Sequence, residues 1–120
     1  MSGRPLRVLS AGAAKGVVQA LADRFETETG VQVIATFDSA GAMRAAFANG
    51  AGCDIVILPA AMQNALAARG LVDAGSIAPL GSVSTGVAVA RGDRVAALGD
   101  ADALRASLVA ATALYCPDTA

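Results

Sequence analysis

Histidine and tryptophan are both absent from this 120-residue chain. Without imidazole there can be no Ser-His-Asp triad, no Cys-His pair, no HExxH zinc site and no imidazole pH switch. Cys53 and Cys116 are the two cysteines, and they lie far apart without CxxC spacing. That spacing argues against zinc ribbons and thioredoxin-type redox chemistry, and leaves a lone disulfide between them open. Lys15 is the single lysine, aromatic residues make up 3% of the chain and the formal net charge is −1. A surface so poor in cations and stacking rings does not suit nucleic acid. Long apolar runs are missing as well. The longest uncharged stretch, Ala74 to Ala90, is interrupted by Gly75, Ser76, Pro79, Gly81, Ser82, Ser84, Thr85 and Gly86, so no membrane-spanning segment is expected.

Hydrophobic residues make up 55% of the chain, but 30 of them are alanine. Alanine favours helix and buries little area, so a core must rest on 12 Val, 11 Leu, 4 Ile and 3 Phe. A chain of this length reads as one compact domain with a thin core and closely packed helices. The start, MSGRPLRVLSAGAAKG, imitates a secretory leader, with Arg4 and Arg7 ahead of a small-residue AGA. Its apolar run is too short and Lys15 follows at once, so a first strand is the plainer reading. On that reading the chain as written is not exported and is expected in the cytoplasm.

From Leu6 onward the pattern is strand, small-residue loop, helix, repeated. Leu6 to Ser10 reads as a first strand. Lys15 to Thr29 carries Val17, Val18, Leu21 and Phe25 at helical spacing, and Gly30 stands where a helix C-cap favours positive φ. Val31 to Phe37 is a β-branched second strand. Asp38 to Gly41 is a turn, followed by a short helix marked by Met43, Ala46 and Phe47 and ended by Asn49-Gly50. Asp54 to Leu58 is almost continuously apolar, as a parallel strand buried on both faces would be. Pro59 opens a helix presenting Met62 and Leu66 and ending at Gly70. Leu71 to Leu80 is expected to be a loop with at most one helical turn. Val83 to Ala90 then reads as a fourth strand and Arg91-Gly92-Asp93 as a turn. Asp100 or Asp102 caps a last helix through about Ala110, and Thr112 to Cys116 reads as a fifth strand. Pro117-Asp118-Thr119 supplies the chemistry that starts another helix, so the chain is expected to end in mid-architecture.

Strands alternating with helices predict an α/β fold: a mostly parallel sheet with right-handed crossovers and helices on both faces. Ligands in such sheets bind beyond the carboxyl ends of the strands, where helix N-termini present free N–H groups. Those ends fall at Ser10 to Ala14, Asp38 to Ala42 and Leu58 to Ala61. Ser10-Ala11-Gly12-Ala13-Ala14-Lys15-Gly16 has small residues suited to close approach by an anion, and equally suited to tight strand-to-helix packing. It matches neither GxxxxGK[ST] nor GxGxxG, so neither a nucleotide nor a dinucleotide is implied. Ser39 can donate to a ligand oxygen or cap the next helix, while Asp38 opposes an anion unless it points away or pairs with Arg44. The candidate binding residues are Ser10, Gly12, Ala13, Ser39, Ala40 and Gly41. No metal, cofactor or catalytic residue is assigned.

Leu6 to Gly12, Leu21-Ala22-Asp23-Arg24-Phe25 with Glu28 to Val31, Phe37 to Gly41, Gly52 to Leu58 and Leu66 to Ser76 together resemble type II periplasmic solute-binding proteins. The similarity is greatest to the molybdate-binding components of ABC transporters and covers roughly Leu6 to Asp118. It implies two lobes with an oxyanion or small carboxylate held between them, residues 1–82 forming the first lobe. Residues 83–120 would be a crossover strand and the start of an incomplete second lobe. It also implies an ABC permease as partner and a periplasmic location. Molybdate binders usually carry serines where Ala13 and Ala40 stand here. An aconitate-isomerase-like enzyme of the same fold is the alternative, in which proton transfer would fall to Lys15, Asp38 or Tyr115. A fragment without retained activity is the third reading.

Overall fold

The computed structural model describes residues 3–94 and 98–116. The packing of the backbone divides the chain into two compact units, one formed by the residues up to Gly81 and the other beginning at Ser82.

The first unit contains strand β1 (Leu6–Ala11), helix α1 (Lys15–Thr29), strand β2 (Val33–Asp38), helix α2 (Ala40–Ala48), strand β3 (Ile55–Ile57) and helix α3 (Ala60–Ala68). Single 3-10 turns precede α1 at Gly12–Ala14 and follow α3 at Ala74–Ser76. Every strand pairing is parallel, and the order is β2-β1-β3. Since the chain moves to one side of β1 and then crosses to the other, right-handed crossovers put α1 on one face of the sheet and α2 on the opposite face. Val8, Leu9, Ser10 and Ala11 are all buried, as the central strand of a doubly covered sheet requires. β2 behaves as an edge strand. Val33, Ala35 and Phe37 are half-buried, whereas Ile34, Thr36 and Asp38 face water.

The core is as thin as the alanine content implies, with Val8, Leu9, Ala11, Val18, Met43 and Leu66 as its buried apolar members. α1 ends where Gly30 adopts φ 71° and donates its N–H to the Glu26 carbonyl, a backbone conformation costly for any residue with a Cβ. The start of β3 is fastened to β1 by Asp54. Its Oδ2 accepts from the Arg7 backbone N–H at 2.8 Å, its Oδ1 accepts from the Arg4 guanidinium at 2.6 Å, and its own N–H donates to the Arg7 carbonyl. Those contacts hold the Asp54 carboxyl below its ordinary range, the Arg7 N–H first and the Arg4 side chain next. Cys53 beside it is pushed upward, by burial first and then by the Asp54 charge.

In the second unit, helix α4 (Ala101–Ala110) begins at Asp100, whose Oδ1 accepts from the Ala103 N–H at 2.8 Å. Arg91-Gly92-Asp93 is a turn, closed by the Asp93 N–H on the Ala90 carbonyl. The strands expected at Val83 to Ala90 and Thr112 to Cys116 are not formed. Val83 is 73% exposed and Tyr115 93%. No described strand pairs with either segment, and β-propensity becomes structure only where a neighbouring strand takes up the backbone groups. The helix start expected at Pro117-Asp118-Thr119 lies outside the described residues. Both cysteines are free thiols.

Candidate functional site

The register of β1 against β2 pairs Ala11 with Asp38, so the loops leaving these strands emerge side by side. Gly12 lies against the Asp38 backbone, where a Cβ would meet the Asp38 carbonyl oxygen at 3.6 Å. The parallel sheet therefore sets the N-terminal ends of α1 and α2 at the same carboxyl edge, on either face.

The first loop opens as the Gly12–Ala14 turn, and the Lys15 N–H donates to the Gly12 carbonyl. Ala14 is the N-cap of α1 and supplies no side-chain acceptor. The amides of Gly12, Ala13 and Ala14 precede the first helical hydrogen bond and have no acceptor within the helix. Gly12 and Ala13 are exposed, so their amides are within reach of a solute. Ser10 is different. It is fully buried, and its hydroxyl donates to the Ala11 carbonyl at 3.0 Å, which places it beneath the loop rather than on its surface.

The second loop is built around Ser39, the N-cap of α2, whose Oγ accepts from the Ala42 N–H at 3.2 Å. Asp38 Oδ1 accepts from the Ser39 N–H at 2.7 Å. That leaves the amides of Ala40 and Gly41 as the donors of this helix end without an intrahelical acceptor. Gly41 is buried and Ala40 half-buried. Asp38 does not pair with Arg44. Its carboxylate stays at the helix N-terminus, where the dipole favours it and where it opposes a second anion. Lys15 is exposed in the first turn of α1, with Nζ 5.8 Å from the centre of the Phe37 ring. A cation is thus held over the end of β2, beside the same pair of loops.

Strand order adds what periodicity could not supply. The order reverses at β1, and in sheets of this kind ligands bind beyond the carboxyl ends at such a point, here between β1 and β3. The segment Leu58 to Ala61, with Pro59 as the N-cap of α3, therefore flanks the Gly12–Ala14 turn on its other side. A surface groove of about 470 Å3 lies elsewhere, along the α1 and β2 flank by Gln19, Ala22, Asp23 and Ala35. It contains no candidate residue and reflects the open edge of the sheet. Among the described residues no cluster of Cys, Asp and Glu could hold a metal ion, and no helix is long and apolar enough to cross a membrane.

A parallel α/β unit with two helix N-termini at its carboxyl edge is consistent with a solute-binding lobe. The chain belongs to the bacterial extracellular solute-binding protein family, whose model matches residues 6–120. No curated protein matches the chain significantly. Membership makes the chain a solute binder of an extracellular family, and the fold is the one expected of a periplasmic-binding-protein-like lobe.

Proposed function

We infer that the chain captures a small anionic solute, an oxyanion or a small carboxylate, on the paired loops of its first unit, for uptake by an ABC-type transporter. The observation that supports this reading is the adjacency of the β1 and β2 loops, one carrying the amides of Gly12 and Ala13 and the other those of Ala40 and Gly41. Backbone N–H groups at two helix ends suit negative charge without any side-chain cation. Ser39 adds a hydroxyl, and Lys15 adds a cation at the margin. Ser10 takes the role of a buried support, fixing the carbonyl of Ala11 under the turn. Ala13 and Ala40 offer only their amides, which favours a planar carboxylate as readily as a tetrahedral oxyanion.

In this reading residues 1–82 are the first lobe, residues 83–120 begin the second, and the protein works in the periplasm, delivering its solute to a permease. The chemistry is binding alone, and no observation favours the isomerase. Calorimetric titration with molybdate, tungstate, sulfate and small carboxylates tests the proposal. Saturable heat with at least one anion is expected. Silence across the panel, from a chain shown by circular dichroism to be folded, overturns it.

A further inference from the structure

Asn49 and Asn64 are the two asparagines of the chain, both exposed, and the fold sets them in different backbones. Asn64 lies inside α3 and is followed by Ala65, so the helix fixes the chain on either side of it. Asn49 is the C-cap of α2, with φ −85° and ψ 9°, and is followed by Gly50 at φ 89°. The helix closes there in a Schellman turn. The Ala51 N–H donates to the Ala46 carbonyl at 2.9 Å and the Gly50 N–H to the Phe47 carbonyl at 3.0 Å. The Asn49 carboxamide itself makes no hydrogen bond among the described residues. Around Gly50 there is open space, since a Cβ built there would meet nothing within 4 Å beyond its chain neighbours.

We propose that Asn49-Gly50 is a site of self-modification, at which the chain converts Asn49 to aspartate and isoaspartate through a cyclic imide. The Gly50 amide nitrogen gives up its proton and attacks Cγ of Asn49. The N–Cγ bond forms, the Cγ–Nδ2 bond breaks, and ammonia leaves with a proton returned from water. Water then opens the imide at either carbonyl, giving aspartate when the new N–Cγ bond breaks and isoaspartate when the original peptide bond does. Glycine permits the attack because no side chain crowds the nitrogen. The Schellman turn opposes it, because the Gly50 N–H must release Phe47 and the Asn49 ψ must rotate before nitrogen reaches carbon. A terminal turn opens far more often than the molecule unfolds, whereas Asn64 would need α3 to break in its middle. Either product puts a carboxylate at the C-terminal end of α2, where the helix dipole disfavours it. Isoaspartate also lengthens the main chain at the cap.

Incubation of the full chain at mildly alkaline pH, followed by peptide mapping with mass spectrometry, tests the site. Both isoaspartate and aspartate are expected at position 49, with Asn64 converting about tenfold more slowly or less. Gly50→Ala should slow the reaction at Asn49 about tenfold or more. Parent and variant are also compared in urea, where both are unfolded and the crowding persists, so a folding defect in the variant does not enter. Absence of conversion at Asn49 overturns the proposal. So does aspartate without isoaspartate, which marks direct hydrolysis, an equal rate at Asn64 in the folded chain, or a Gly50→Ala chain that reacts as fast as the parent in urea.

Discussion

At the scale of single residues, two aspartates use the same chemistry for different ends. Asp38 sits among the donors proposed for the solute, with one oxygen engaged by the Ser39 N–H. Asp38→Asn keeps that acceptor and removes the charge. At a separation of about 4 Å in water the lost repulsion is on the order of 1 kcal/mol, so anion affinity measured by calorimetry should rise about fivefold. Asp54 works on the fold instead, joining β3 to the Arg7 backbone and to Arg4. Because its folded carboxyl titrates below the ordinary value of 3.8, its stabilisation is fully present above the usual carboxylate range. It is lost as pH falls below that range, when the folded form protonates. Urea midpoints should therefore show Asp54→Asn less stable than the parent near neutrality, with the gap narrowing as the solution is acidified. A gap independent of pH would contradict this role for the charge.

Among the secondary elements, the helices were legible and the boundaries of the strands less so. α1 runs from Lys15 to Thr29 as its periodicity and Gly30 specify, because both signals are local. α2 begins at Ser39 for an equally local reason, the side-chain cap on the Ala42 N–H. Ser39→Ala should cost about 1 kcal/mol of stability, a drop in Tm of roughly 4–8 °C for a unit of this size, as read in a thermal melt. A loss of solute affinity beyond that expected from the melt would mark the hydroxyl as a ligand contact as well. The segments 83–90 and 112–116 mark where this local logic stops. Val83, Val87 and Val89 have strand-like composition, yet a strand exists only through a neighbour, and no described strand pairs with them. β3 makes the same point from the other direction. The apolar run Asp54 to Leu58 contracts to Ile55–Ile57, the residues that pair with Val8 to Ser10 of β1.

For the whole molecule, stability rests on few large side chains. Leu66 is 1% exposed, and Leu66→Ala should cost about 2–5 kcal/mol, seen as a lower denaturation midpoint, since so thin a core has little with which to fill the cavity. Composition and periodicity by themselves determined much of this protein: the absence of imidazole chemistry, the alternation of strand and helix, the extent of α1, and the small-residue loops at the first two strand ends. These follow from residue identity and near-neighbour spacing, which the chain carries in one dimension. Only the tertiary structure decided the order β2-β1-β3. That order makes the two loops neighbours, sets Leu58 to Ala61 on the other side of the first loop, and leaves an apolar strip beside α1. It also turned Ser10 inward and set the Lys15 ammonium 5.8 Å from the Phe37 ring. Each of these depends on which strands lie side by side, a contact between residues distant in sequence that no local pattern encodes.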